Sequence, residues 1–163
     1  MVAFFEMFGG LGLAFLGAAL AVGLCCIGSA KATGMVGEAA AGLTSEDPEK
    51  STKCLILQVL PGTQGLYGMV AWFFVLLQIG VFGGAGIQTI TVTQGLTILI
   101  ACLPVALGGL LSALYQGRVA AAAINIVAKH PEASTKGIIF CGIVEFYAIL
   151  STLATILLLM NSL

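Results

Sequence analysis

GIIFCGIVEFYAILSTLATILLL, residues 137–159, holds a single carboxylate, Glu145. The run is otherwise apolar and uncharged, and it exceeds the roughly 20 residues that cross a 30 Å hydrocarbon core as a helix. A carboxylate in that setting costs about 2.5–3.5 kcal/mol on insertion scales. Such a group carries an ion, pairs with a counter-charge or stays protonated. The plain alternative is a neutral, hydrogen-bonded structural glutamate. Glu145 is therefore the first candidate site residue.

The rest of the chain agrees with a membrane setting. Of 163 residues 60% are hydrophobic and 8% charged, and mean hydropathy is +1.13, against about 25% charged residues in soluble domains. The expected fold is an all-α membrane protein. A net charge of −1 offers no basic surface to nucleic acid. Cys25, Cys26, Cys54, Cys102 and Cys141 all lie in apolar stretches, without metal-ligand spacing to His130, and read as small packing residues. No Lys or Arg precedes Lys31, so the first segment lacks the basic start of a secretory leader and is expected to be retained.

Hydropathy marks four spans: Met7–Gly42, Cys54–Val81, Thr93–Ala128 and Gly137–Asn161. The first and third, at about 36 residues or ~54 Å of helix, outrun the bilayer. The charges are sorted. Glu46, Asp47, Glu49, Lys50 and Lys53 cluster at the connection 43–53, and Lys129, His130, Glu132 and Lys136 at 129–136. Lys31, Glu38 and Arg118 approach those connections, while the middle one, 82–92, has no charge. The positive-inside rule makes the two charged connections cytoplasmic and puts both termini outside. Among the acidic residues only Glu6, near the N-terminus, and Glu145 are left unplaced.

PEKSTK begins at Pro48 and PEASTK at Pro131, 83 residues later. The same offset pairs Gly12-Leu13 with Gly95-Leu96, Gly34 with Gly117, and Ala39-Ala40 with Ala122-Ala123. The chain reads as two copies of one helical hairpin, 1–80 and 93–163, joined by a non-cytoplasmic loop, 81–92. Glu145 falls opposite Gly62, so one copy alone carries the carboxylate. Small residues recur every four positions at Gly109, Ala113, Gly117 and Ala121, at Ala14 and Ala18, and at Ala30 and Gly34. This spacing allows close helix packing, within one bundle or at the inner wall of a ring.

Polar residues in the second span, LPGTQGLYG (Leu60–Gly68), sit at the depth of Glu145. Glu145 lies nine residues past Lys136, ~14 Å along a helix, and Thr63 and Gln64 lie ten and eleven past Lys53, ~15–17 Å. Tyr67 is one turn beyond Thr63. Gln116 lies thirteen residues before Lys129, ~20 Å. It fits if the third helix overhangs the membrane and Arg118 turns away. Counting helix bonds, Pro61 frees the carbonyl of Leu57. A carboxylate, two amide oxygens, a hydroxyl and a carbonyl make a cage suited to a hard cation. A proton needs only the carboxyl. Each of Thr63, Gln64 and Gln116 taken alone serves equally well as interhelical glue, worth about 0.6–2 kcal/mol.

LPGTQGLYG, QGRVAAA, VEFYAIL and the PEKSTK/PEASTK repeat resemble the proteolipid (K or c) subunit of V-type rotary ATPases, in particular the Na⁺-translocating bacterial kind. The resemblance covers nearly the whole chain. It implies four transmembrane helices from a duplicated hairpin, with copies forming a membrane rotor ring. It implies Na⁺ ligands at Leu60 (carbonyl), Thr63, Gln64, Gln116 and Glu145, with Tyr67 hydrogen-bonding the carboxylate. Here it departs from the bond count, which points to Leu57. The expected cargo is Na⁺, with H⁺ as the alternative, and no organic cofactor. The expected partners are further copies of the chain, a stator subunit (a or I) with a basic residue, central-stalk subunits at the cytoplasmic loops, and membrane lipid. ATP is expected to be hydrolysed on other subunits, since no GxxxxGK[ST] motif occurs here. Two rivals are weaker. A small multidrug-type exporter does not account for a duplicated hairpin with one acidic copy, and a structural pore or fusion proteolipid leaves Glu145 unexplained. The expected location is a bacterial plasma membrane, crossed several times.

Overall fold

The structure, a computed structural model, describes residues 2–82 and 86–162, with the side chains of 2–8, Glu6 among them, outside the described residues. Among the described residues five α-helices make four spans. They are α1 (Val2–Glu46), α2 (Ser51–Val59), α3 (Thr63–Gln78), α4 (Val92–Lys129) and α5 (Ser134–Leu159). α2 and α3 form one span through a 3₁₀ turn at Leu60–Gly62. Four stretches, Gly9–Glu46, Pro48–Gln78, Val92–Lys129 and Pro131–Leu159, are long and apolar enough to cross a membrane. Among the described residues there is no strand.

The two charged connections are shorter than hydropathy suggests. α1 continues to Glu46 and α5 begins at Ser134, so charged residues expected in loops lie on helix ends. Each turn hinges on the residue before a proline. Asp47 and His130 both take φ −141°, with Pro48 and Pro131 opening a 3₁₀ turn behind them. A residue preceding proline is driven out of the α region, while proline itself suits a first helical position. Lysines of the first turn brace the second. Lys50 Nζ donates to the Ala128 carbonyl at 2.9 Å and Lys53 Nζ to the Pro131 carbonyl at 2.9 Å. The Ala128 carbonyl belongs to the last turn of α4, which has no intrahelical donor.

At the other end α3 stops at Gln78, short of the expected Val81. Gly80 takes φ +80°, and its N–H and that of Val81 close onto the carbonyls of Leu77 and Leu76. This is a Schellman ending, which favours glycine at its left-handed position. α4 starts behind a capping box, with the Thr91 side chain on the Gln94 N–H and the Gln94 side chain on the Thr91 N–H.

The interior has three layers. One apolar cluster joins Ala14–Cys25 of α1, Ala71–Ile79, Ile98–Val105 and Leu159. A second joins Val36, Ala40, Cys54, Leu57, Ala120–Val127 and Cys141. Along α1, α3 and α4 the residues between the clusters include buried polar ones: Ser29, Gln64, Ser112 and Gln116. α5 buries little and shows Ile143, Phe146, Tyr147, Leu150 and Leu153 outward. A soluble monomer rarely exposes so continuous an apolar face; lipid or a neighbouring subunit suits it.

The small-residue stripes divide. Gly109, Ala113 and Gly117 press on α1 or on the α3 side of the bundle, and Ala14 and Ala18 are buried. Ala30 and Gly34 face outward, with nothing within 4 Å of a Cβ built at Gly34. Packing within one bundle thus accounts for part of the stripes and leaves Ala30 and Gly34 outside it. Of the free cysteines, Cys25, Cys54, Cys102 and Cys141 are buried and Cys26 is exposed.

Candidate ion-binding site

The polar layer converges on Glu145. The Tyr67 hydroxyl donates to Glu145 Oε1 at 2.6 Å. Gln116 Nε2 donates to the Cys141 carbonyl at 3.1 Å and to Glu145 Oε2 at 3.4 Å. Gln64 Nε2 donates to Gln116 Oε1 at 2.7 Å. The Thr63 hydroxyl donates to the Leu60 carbonyl at 3.1 Å, with Gln64 Oε1 3.4 Å away. One chain of polar contacts therefore runs from Leu60 to Tyr67 across α3, α4 and α5. Gln64 and Gln116 are 0% exposed, and Glu145 is half-buried. All six residues singled out in the sequence meet.

One expectation changes. The Gln116 depth mismatch came from counting Glu145 from Lys136. The hairpin turns at His130, and Gln116 lies fourteen residues before it, Glu145 fifteen after. Both are then level, as are Thr63 and Gln64, sixteen and seventeen past the equivalent turn at Asp47. Arg118 faces outward, its guanidinium 5.3 Å from the centre of the Tyr115 ring. The surroundings of the two carbonyls, Leu57 and Leu60, differ. Pro61 tightens the backbone into a 3₁₀ turn, and the Leu60 carbonyl is the one against the Thr63 hydroxyl. Among the described residues no side chain reaches the Leu57 carbonyl.

Two serines went unnoticed in the sequence. Ser29 Oγ of α1 accepts the Gly65 N–H at 2.9 Å, one turn past Pro61 where the helix ladder is disturbed. Ser112 Oγ donates to the Val144 carbonyl at 3.1 Å, beside Glu145. The offset of 83 carries Ser29 onto Ser112, which was the available signal.

The assembled oxygens are a carboxylate, two side-chain amides, one hydroxyl and one carbonyl, the donor set of a hard monovalent or divalent cation and not of a soft one. Low dielectric makes the carboxylate dominant among them.

Four apolar spans in two copies, with one carboxylate held in a buried polar layer, define a membrane ion-carrying proteolipid. The chain belongs to the family of the ATP synthase C subunit, whose pattern matches it twice, over residues 16–75 and 99–158. Both ends of the second match lie 83 residues beyond those of the first, the spacing of the PExSTK repeat. The chain is 51% identical over 154 residues to the V-type sodium ATPase subunit K of Enterococcus hirae, covering 94% of each. It is 34% identical over 149 residues to the A-type ATP synthase subunit K of Methanocaldococcus jannaschii, covering 91% of this chain and 62% of that one.

Proposed function

We propose that the chain is the rotor-ring subunit of a V-type rotary ATPase and carries Na⁺ across the membrane on Glu145. What supports the reading is the single chain of contacts from Leu60 through Thr63, Gln64 and Gln116 to Glu145, together with the 51% identity to a subunit named for sodium transport. In this reading the carboxylate and the four neutral oxygens surround the ion, and Tyr67 holds the second carboxylate oxygen. Bound Na⁺ neutralises Glu145, so the site passes lipid without a bare charge. A basic residue on the stator subunit releases the ion, and ATP is hydrolysed on other subunits. The turns at Asp47 and His130 face the cytoplasm and the central stalk, and both termini face outward.

Carbodiimide labelling tests the reading. The reagent takes the protonated acid, so a cation that occupies the site protects it. Glu145 is expected to be modified, Na⁺ to suppress the reaction, and the saturating yield to be one adduct per chain, because Gly62 stands at the equivalent position of the other hairpin. Labelling indifferent to Na⁺ at every pH would favour H⁺. A yield near two would point to a second carboxylate, Glu38 first. One ion per four helices gives each ion a larger share of the energy of ATP, which suits pumping against a steep gradient.

Thr63→Val, Gln64→Leu and Gln116→Leu are each expected to weaken Na⁺ binding by about 1–3 kcal/mol, roughly 5- to 150-fold. Gln64 and Gln116 bond to each other while fully buried, so each single leucine also strands the partner amide. The Gln64→Leu/Gln116→Leu double variant removes both amides at once and is expected to be more stable than the two single losses summed. Isothermal titration with Na⁺ beside thermal melts separates the two effects. Unchanged affinity in all three single variants would exclude the cage.

A further inference from the structure

Two features take no part in the ion site: the PExSTK motif that occurs twice, and the glycines of α1 that face open space. Inside the subunit the two motifs touch. Lys53, which ends the first, donates to the carbonyl of Pro131, which opens the second. That carbonyl also takes the Ser134 N–H, and the Pro48 carbonyl takes the Ser51 N–H in the same way. A carbonyl has two lone pairs. Pro131 uses both and the exposed Pro48 uses one. Lys136, which ends the second motif, is exposed and has no hydrogen-bond or ion-pair partner among the described residues. An unfilled donor and an unfilled acceptor thus remain at the motif positions that meet within the subunit.

The glycines follow the same rule. A Cβ at Gly117 of α4 would lie 2.7 Å from the Ala32 Cβ and 2.8 Å from its Cα, and one at Gly95 would strike the Gly10 carbonyl. Gly34 and Gly12, 83 residues earlier on α1, have nothing within 4 Å. The two hairpins also share an internal register. Gln58 bonds the Thr33 carbonyl and Gln116 the Cys141 carbonyl, each across 25 residues and between equivalent positions. An operation that carries the first hairpin onto the second, applied again, sets the first hairpin of another copy against the second. That is a heterologous contact, which builds a ring when its rotation closes.

We propose that the seam between neighbouring subunits repeats the seam within the subunit, 83 residues on, with Lys136 donating to the Pro48 carbonyl of the next copy. Gly34 and Gly12 of that copy are then the points where its α1 meets α4 closely. The inference rests on the ring reading above and adds which surfaces meet. PExSTK recurs because each occurrence clasps the next around the cytoplasmic rim. Lys50 has no counterpart, since Ala133 stands there, so the seam between subunits has one lysine where the internal seam has two.

The test places a benzophenone amino acid at position 136 in the full chain and purifies rings assembled from isotopically light and heavy copies. Irradiation is expected to yield hybrid light–heavy adducts mapping to the peptide around Pro48. The same probe at position 53 is expected to yield adducts within one chain, around Pro131. Adducts from position 136 confined to its own chain, to lipid or to a different subunit would overturn the proposal. A second variant checks the glycine seam. Gly34→Leu is expected to insert with unchanged helix content and to lose the detergent-resistant ring. A ring as resistant as the wild type would overturn that contact. A wild-type chain that forms no ring at all would remove the ring reading itself, whereas a wild-type ring with adducts elsewhere removes only the proposed seam.

Discussion

Glu145→Gln is expected to abolish ion transport and leave the subunit folded and inserted. The carboxylate accepts from Tyr67 at 2.6 Å and from Gln116 at 3.4 Å. Glutamine keeps the size and one acceptor oxygen, so Tyr67 retains a partner. The lost charge removes the group that balances a cation where solvent screening is weak. Breaking a buried charge pair costs about 3–5 kcal/mol, which lowers ion affinity by roughly 10²- to 4 × 10³-fold. Helix content in detergent, ²²Na⁺ binding and transport in reconstituted vesicles measure the three parts. Transport surviving at the wild-type rate would place the ion elsewhere. Loss of helix content along with transport would make Glu145 a folding residue.

Gly117→Val is expected to have the second large effect, on the subunit itself. A Cβ there would approach the Ala32 Cα to 2.8 Å, and backbone cannot yield as a flexible side chain does. Overpacking costs about 1–3 kcal/mol, and more where backbone must move. α1 and α4 would separate, and Gln116, the preceding residue, would lose its 2.7 Å bond with Gln64. A fall in melting temperature together with weakened Na⁺ binding is the expected result. Melting and binding equal to wild type would show that the two helices do not meet at Gly117. The contrast with Gly34→Leu is informative: the equivalent positions fail at different levels, one in the fold of the chain and the other in its assembly.

The sequence by itself determined the parts that rest on one-dimensional pattern. Four apolar runs specify four spans because the bilayer leaves the backbone only its own hydrogen bonds. The offset between PEKSTK and PEASTK specifies the duplication, and the family match repeats at that same offset. Charge sorting isolates Glu145, because a carboxylate in such an apolar run is costly and stands out from the charges gathered at the connections. The tertiary structure decided what depends on where helices begin and on which faces meet. Gln116 looked too deep until the turns were located at Asp47 and His130, since the residue before a proline, and not the last charged residue, sets where a hairpin reverses. The Leu60 carbonyl, not that of Leu57, lies against Thr63, because the backbone answers Pro61 with a 3₁₀ turn and not with a broken α-helix. Ser29 and Ser112 look like any small residues in a helix until their partners across the bundle are known. Gly34 and Gly117 are identical by pattern, and only the packing tells the one pressed against its own chain from the one left open.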